Sequence, residues 1–553
     1  MSKSYQADVT IIGAGIAGIV TTLELLDSGK KILLLDRNGK DRFGGLANEA
    51  FGGMTLINTP LQKLNGIKDS VELAIEDWKA TGQFDEKDVW PLRWVEYYVK
   101  HSKESIYDWL KNKGVKFFPA VQWVERGDYG SDLGSGNSVP RYHVVWGTGY
   151  ALCQTLIQHI EHHPNRANLN ILFHHQFEDF IRQDGHISGC SGKIKGEVKG
   201  ELDQEHSGEH FEAHSPTVVV ACGGINGNLE LVKQVWDKRY GEAPDNLLNG
   251  SHPSADGHVH EQVRKIGGVV SHLPWMWNYA AGIEHPHPKF DKQGLSLIPP
   301  RSALWMDAYG ERIGPKPLIT GFDTHDLCKQ IGQLEHQYSW QVMNYKIAVK
   351  EIAISGSEMN PSFRDKKLIR FLKETLFGNK ALVNWMIAEC PDVIVADTVE
   401  ELADKMNQLT GFDRVDAQSL KSDIEHYDAQ ISRGKAFYND DQLRKLDHLR
   451  KWRGDKVRTL KAQKILDPKA GPLIAIRERL ISRKSMGGIQ TNLNSQVLDH
   501  QDHPIAGLYA VGEAAGFGGG GINGVSSLEG TFLSSCILTG RLAAKSIKEG
   551  VAA

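Results

Sequence analysis

Apolar residues fall first in an unbroken run at residues 7–12 (ADVTII), then with helical spacing at 19–27 (IVTTLELLD), then in a second unbroken run at 31–36 (KILLLD). Short unbroken runs suit strands buried on both faces, so the order strand, helix, strand predicts a βαβ unit in a parallel sheet. From about residue 169 the pattern shifts to short alternating runs with a turn at Asp184-Gly185, ending in an apolar strand at 217–221 before Gly223-Gly224. That pattern predicts a small antiparallel meander leading back into the main sheet. Residues 286–464 become charged and helical. Thr398 and Glu401 have capping-box spacing, with Val399, Leu402, Met406 and Leu409 on one face and Gly411 as a stop; Leu420, Ile424, Tyr427 and Ile431 repeat the pattern. The closing stretch returns to a strand at 507–511 (GLYAV), a glycine run at 518–521 and a helix at about 527–546. The expected organisation is therefore one domain built from 1–285 and 465–553, with 286–464 inserted.

Composition narrows the function classes. The 553 residues are 40% hydrophobic and 24% charged, the balance of a globular protein, with a net charge of -4. There is no overall basic excess to attract nucleic acid or anionic lipid, and nucleic acid is not an expected partner. No apolar run approaches the roughly 18 residues of a transmembrane helix, and the start leads into a strand rather than a signal peptide, so a cytoplasmic location is expected. The six cysteines lie far apart with no metal or iron-sulfur spacing, so reduced buried thiols are expected and no metal site. The 57 glycines are the unusual count, and they cluster in a few loops.

One cluster carries chemistry. Gly13-x-Gly15-x-x-Gly18 lies between the first strand and its helix, where the glycines permit a tight turn, close approach to a pyrophosphate and tight helix packing. Asp36 ends the next strand, where a carboxylate takes the adenosine ribose hydroxyls. These positions predict dinucleotide binding. Gly44-Gly45 after the second strand and Gly512-Glu513 after a C-terminal strand add two further contact points, which favour the longer FAD over NAD.

The segments GAGIAG, LLLDR, GGLANEAFGG, VVVACGGINGN, HPSADGH, ADTVEELADKM, SMGGIQTNLNSQVLD and GLYAVGEAAGFGGGGINGVSSLEGTF resemble, in order and over nearly the whole chain, the flavoprotein family of fumarate reductase, succinate dehydrogenase and 3-ketosteroid dehydrogenase. The fullest resemblance is to FAD-binding dehydrogenases of the ketosteroid-dehydrogenase type, which share PRYHVVWGTG and DPKAGPLIAIR. The resemblance implies an α/β fold: a Rossmann-like FAD-binding domain of the GR2 flavoprotein type with an inserted α+β capping domain. It implies that Gly13, Gly15, Ala17 and Gly18 hold the pyrophosphate, Asp36 and Arg37 the adenosine ribose region, and Gly44, Gly45, Leu46 and Ala47 the phosphate side. Ala221, Gly223, Gly224, Asp256, Gly512 and Glu513 complete the implied cofactor set. The helix after Ser526, Ser527 and Leu528 should aim its N-terminus at the flavin.

Departures from the family pattern are informative too. Leu46 stands where succinate dehydrogenase carries the histidine that links its flavin, so a non-covalent FAD is implied. The family's dicarboxylate-gripping histidine and arginine correspond to Lys484 and to positions at Asn523 and Ser527, which disfavours fumarate or succinate. The resemblance places Arg141, Tyr142, His143, Thr148 and Gly149 on the substrate side of the flavin. Tyr338 and Tyr345 are further candidate acids, Arg483, Lys484, Arg477 and Arg301 candidate cations, and the 518–521 glycines with Gly524 candidate N–H donors to a keto oxygen. The expected reaction is dehydrogenation or reduction of a CH–CH bond beside a carbonyl, on a small and bulky apolar keto substrate, with electrons passing to a separate acceptor. A fumarate-reductase-like reduction of an enone or unsaturated acid, or a hydratase or lyase with non-redox FAD, would share every cofactor motif. The tryptophans at 123, 146, 275, 277, 305 and 340 would suit a steroid-sized wall.

Overall fold

A computed structural model describes residues 2–127, 136–196 and 206–550. Its main sheet has six strands in the order Gln496–Leu498, Pro504–Ala510, Val218–Val220, Val9–Ile12, Ile32–Leu35 and Leu169–Leu172. All pairings are parallel except that of the Gln496–Leu498 edge. The strands Val9–Ile12, Ile32–Leu35 and Val218–Val220 are buried throughout, as their unbroken apolar runs require. Chain order runs outward to one side from Val9–Ile12 through Ile32–Leu35, then crosses to Val218–Val220 on the other. That reversal opens a crevice at the carboxyl ends of the central strands.

The helix Ile16–Leu26 follows the first strand with all but one residue buried. Against it packs the C-terminal helix Thr531–Glu549. A Cβ at Gly540 would lie 2.9 Å from the Ala17 carbonyl oxygen, so glycine lets the two backbones meet. The meander forms a separate sheet of His175–Gln183, His186–Lys195 and His206–His214, joined in parallel by Ser2–Gln6. Asp184 and Gly185 make its turn, both with positive φ (50° and 83°), as a tight hairpin needs.

A second large sheet is centred on the thirteen-residue strand Leu473–Ser485, flanked by antiparallel Tyr338–Asn344 and Met276–Glu284. Its two inner strands from either flank of the insertion, Met276–Glu284 and Leu473–Ser485, lie outside the 286–464 span marked by helical spacing. They pair with each other, which brings together the chain before and after that span. Within that segment the helix Val399–Thr410 starts where expected: Thr398 Oγ1 accepts the Glu401 N–H (3.1 Å), and Gly411 ends it at φ 73°. The Glu401 carboxylate accepts the N–H of Asp397 rather than of Thr398, one residue off a true capping box. Leu420, Ile424 and Tyr427 are buried in the next helix, Ala417–Arg433. No described helix is long and apolar enough to cross a membrane.

Candidate functional site

The crevice holds a cavity of about 330 Å³ that runs from the carboxyl ends of the main sheet to the second sheet. Three glycines of the first turn divide the work. Gly13 sits at φ 107°, and a Cβ there would lie 2.5 Å from the Ala221 carbonyl oxygen. At Gly18 a Cβ would fall 2.0 Å from the Gly13 oxygen, so glycine seats the helix against the turn. Gly15 is different: a Cβ there meets no atom within 4 Å and would project into the cavity. Gly15 also begins the helix Ile16–Leu26 without a side-chain cap, leaving first-turn N–H groups to an incoming anion. The Gly44 N–H donates to the Ala14 carbonyl oxygen (2.9 Å), which brings the second glycine pair beside the first.

Asp36 closes one end of the cavity. One carboxylate oxygen accepts the Ala14 N–H and the other the Asn38 N–H, both at 2.8 Å, fixing the side chain at the cavity edge. Desolvation raises its pKa, against the pull of these hydrogen bonds. Arg37 pairs with Asp256 at 2.5 Å and donates to the Ser254 carbonyl oxygen, linking this corner to the helix His258–Lys265. Ala17, Leu46, Ala47, Ala221, Gly223 and Gly224 also line the cavity.

At the other end Glu513 accepts the N–H of Ser485 (2.9 Å), tying the main sheet to the end of the long central strand of the second sheet. Burial pushes its pKa up to about 7, opposed by that hydrogen bond and by Lys484 and Arg483. The helix Thr531–Glu549 begins at Gly530 (φ 103°) with no side-chain cap, and Gly530, Phe532 and Leu533 line the cavity. Its uncapped N-terminus beside the cavity would favour a negatively charged group there. A surface built for a pyrophosphate, a ribose and an anionic ring, with the Gly15 side left empty, fits FAD.

Beside that helix start lies a polar group that joins Lys484, Arg483 and Tyr142, named from the sequence, to Glu529 and Tyr279, which were not. Glu529 accepts hydrogen bonds from Tyr279 Oη (2.7 Å) and Trp277 Nε1 (2.6 Å). Lys484 Nζ sits 4.2 Å from the Phe532 ring centroid, and burial pulls its pKa down to about 8, partly countered by Glu529. Tyr142 completes the wall. Burial raises both tyrosine hydroxyls above their usual range, Glu529 adding to the rise in each, so both stay protonated at neutral pH. Tyr142, Tyr279, Lys484, Glu529 and Arg483 all line the cavity.

Several residues with suggestive chemistry sit elsewhere. Arg141 is 1% exposed and spent on Asp69 (2.9 Å), Asp77 (2.5 Å) and Asn137 (3.0 Å), behind the wall that Tyr142 presents. His143 is buried between the Thr59 hydroxyl and the Arg141 carbonyl oxygen, both 2.7 Å away, and desolvation holds its pKa down at about 4. Alternation along the strand Tyr142–Val144 explains the split: Tyr142 faces the cavity while its neighbours face the core. Tyr338 lies in the second sheet away from the cavity, and Tyr345 donates to Asn384 (2.8 Å). Arg477 and Arg301 pair with Asp392 and Asp455.

The glycine run turns inward. Cβ atoms at Gly518 and Gly519 would strike Trp94, and at Gly521 Trp275, while the N–H groups of Gly518, Gly520 and Gly521 bond within the turn. The glycines make room for tryptophan there and offer no N–H to the cavity. Ser526, Ser527 and Leu528 do not line the cavity either, the C-terminal helix beginning only at Thr531, and nor does Gly512, whose missing Cβ makes room for Ala17 and Cys536. Ser527 and Thr531 instead share hydrogen bonds with Asn523. None of the six tryptophans lines the cavity; Trp277 acts from behind through Glu529.

The FAD binding domain family matches residues 8–533. A KsdD-like steroid dehydrogenase of Mycobacterium tuberculosis is 38% identical over 556 residues, covering 100% of this chain and 97% of that protein. A cytochrome-type fumarate reductase of Shewanella frigidimarina is 22% identical, covering 97% of this chain and 76% of that one. The structure of a 3-ketosteroid Δ1-dehydrogenase from Sterolibacterium denitrificans, in complex with 1,4-androstadiene-3,17-dione, shares the fold with a TM-score of 0.69 at 16% identity, covering 99% of this chain and all 100% of that chain. With its glycine turn, acidic strand end and capless helix start arranged for FAD, the chain belongs to the FAD binding domain family, as an FAD-dependent oxidoreductase of the ketosteroid-dehydrogenase and fumarate-reductase type.

Proposed function

We propose that the protein oxidises or reduces a CH–CH bond beside the carbonyl of a bulky apolar ketone, a steroid being the model substrate, with non-covalent FAD and a separate electron acceptor. The observation that carries this reading is the convergence of Tyr142, Tyr279, Lys484 and Glu529 among Phe532, Leu533 and Leu295 on one cavity wall. When bound, FAD supplies the hydride acceptor or donor. Lys484, as an ammonium ion, donates a hydrogen bond to the substrate carbonyl oxygen and acidifies the neighbouring C–H. Tyr279 Oη takes that proton as it passes its own to Glu529 across their 2.7 Å hydrogen bond. Trp277 holds the carboxylate in line for this transfer, and Tyr142 remains a neutral donor on the same wall. Reduction uses the same path reversed. The identity to a protein named as a steroid dehydrogenase supports the ketone class.

The reading is tested by mixing the FAD-loaded protein anaerobically with 4-androstene-3,17-dione and related 3-ketones. Bleaching of the oxidised-flavin absorption band, with product lighter by two hydrogens, is expected. A product heavier by one water with the flavin still oxidised would replace this reading with a hydratase. No bleaching across the panel, together with no reoxidation of the dithionite-reduced flavin by the corresponding enones, would count against the ketone class.

A further inference from the structure

The even charge balance of the chain hides a local exception. Residues 364–380 (RDKKLIRFLKETLFGNK) carry six cations against two carboxylates, in a protein whose net charge is -4. They contain the helix Leu368–Phe377, none of whose residues is buried. Its apolar side chains point outward: Ile369 is 73% exposed, Phe377 77%, Leu376 53%, Leu368 48% and Leu372 42%. Ile369, Leu372 and Leu376 follow i, i+3, i+7 spacing, so they share a face with Lys373 among them. A contiguous apolar face of this kind on a soluble surface marks an interaction site.

The helix is held from beneath by aromatic contacts. Phe371 meets Phe363 (centroids 4.9 Å apart) and Phe118 (5.4 Å), and Phe363 stacks on Phe51 at 5.2 Å. Phe51 lines the cofactor cavity. The outward face is thus separated from the cavity wall by two aromatic side chains.

We propose that the helix Leu368–Phe377 seats the protein on an anionic lipid surface, with its apolar side chains in the acyl boundary and Lys366, Lys367, Arg370 and Lys373 at the headgroup phosphates. An in-plane helix with an outward apolar face and flanking cations binds a membrane by adding apolar burial to attraction for anionic lipid. Charge selects this occupant over a second copy of the chain: a two-fold contact would press two cationic segments together. The proposal is independent of the reaction catalysed.

The test is co-sedimentation of the FAD-loaded protein with vesicles of phosphatidylcholine alone and with added phosphatidylserine. Binding to the phosphatidylserine vesicles, weakening as salt rises, is expected. The double substitution K367A/K373A should lower the partition coefficient about 30-fold, roughly fivefold per cation. I369S/L376S should weaken binding while leaving the salt dependence unchanged. All four side chains are exposed, so the yellow colour and melting temperature should hold in every variant, separating lost binding from misfolding. No binding by the unaltered protein, equal binding to phosphatidylcholine alone, or equal binding by the variants would overturn the proposal. So would a dimer in sedimentation velocity that I369S/L376S turns into monomer, which would make the face an interface between copies.

Discussion

Gly15→Ala separates a glycine kept for the cofactor from one kept for the fold. Gly15 has φ -73° and ψ -179°, backbone that alanine adopts without strain, and its Cβ would meet nothing within 4 Å. Restricting the unfolded chain gains about 0.4–1 kcal/mol. Alanine is a poorer helix cap than glycine by an amount of the same order, which offsets the gain. The FAD-free protein should therefore melt within about a degree of the unaltered one. Binding is another matter, because the methyl group occupies the space through which backbone N–H groups reach an anionic pyrophosphate. Losing one hydrogen bond to a charged group costs about 1.5–3 kcal/mol, or about 10- to 150-fold in Kd. The stability of the FAD-saturated protein falls by the corresponding binding free energy, and its melting temperature falls with it. Gly18→Ala is the control: its Cβ would lie 2.0 Å from the Gly13 oxygen, so it should lower stability with and without FAD. Calorimetric titration with FAD and thermal melts of both forms decide the matter. An unchanged Kd in Gly15→Ala, or a loss of FAD-free stability matching that of Gly18→Ala, would refute the assignment of the empty space to the pyrophosphate.

Glu513 has a folded-state pKa raised from 4.5 to about 7, so the FAD-free native state binds the extra proton and loses stability as pH climbs between those values, by on the order of 3 kcal/mol. Glu513→Gln should raise the FAD-free melting temperature at pH 8 and change it little at pH 4.5; equal effects at both would contradict the buried charge. With Lys484 titrating near pH 8, the rate with a ketone should fall as pH rises through that value, and Lys484→Gln should remove this limb while lowering kcat. Tyr279→Phe and Glu529→Gln should each reduce kcat by about 10²- to 10⁴-fold while FAD binding persists, and the double variant should lose little more, as expected of one relay. Arg141→Met should cost about 3–5 kcal/mol in denaturant unfolding by leaving Asp69 and Asp77 buried without their cation, while the flavin spectrum of folded protein is retained.

The glycine turn and Asp36 could be singled out in the sequence because they lie within one βαβ unit, although the space that requires glycine at position 13 is set by Ala221, after a strand brought in from far along the chain. Of the wall proposed for catalysis, Tyr142 and Lys484 were named from the sequence, while Tyr279 and Glu529 were not, because they are 250 residues apart and meet only through the folding of the second sheet onto the C-terminal helix start. Arg141 looked like a catalytic cation for the complementary reason: Asp69 and Asp77, which neutralise it, lie 72 and 64 residues upstream. The 518–521 glycines were read as open N–H donors, whereas their lack of side chains accommodates Trp94 and Trp275. Glycine spacing alone does not distinguish backbone that approaches a ligand from backbone that approaches an indole. Helix signals within 286–464 were strong, but the pairing of Leu473–Ser485 with Met276–Glu284 and Tyr338–Asn344 could not be read, because strand pairing is fixed by partners distant in sequence.

The strand Leu473–Ser485 has an end in each half of the molecule. Its first residues are bonded on both sides, to Val393–Ala396 and to Tyr338–Asn344, and its last reach Glu513 through Ser485 and the cavity through Lys484. This thirteen-residue strand is one continuous backbone joining the outer sheet to the cavity wall, so a substitution that shifts its first residues can reach Lys484 and the Glu513 contact. Any re-engineering of the outer sheet has therefore to be checked at both ends of this strand, in the packing of its first residues and in FAD binding at its last.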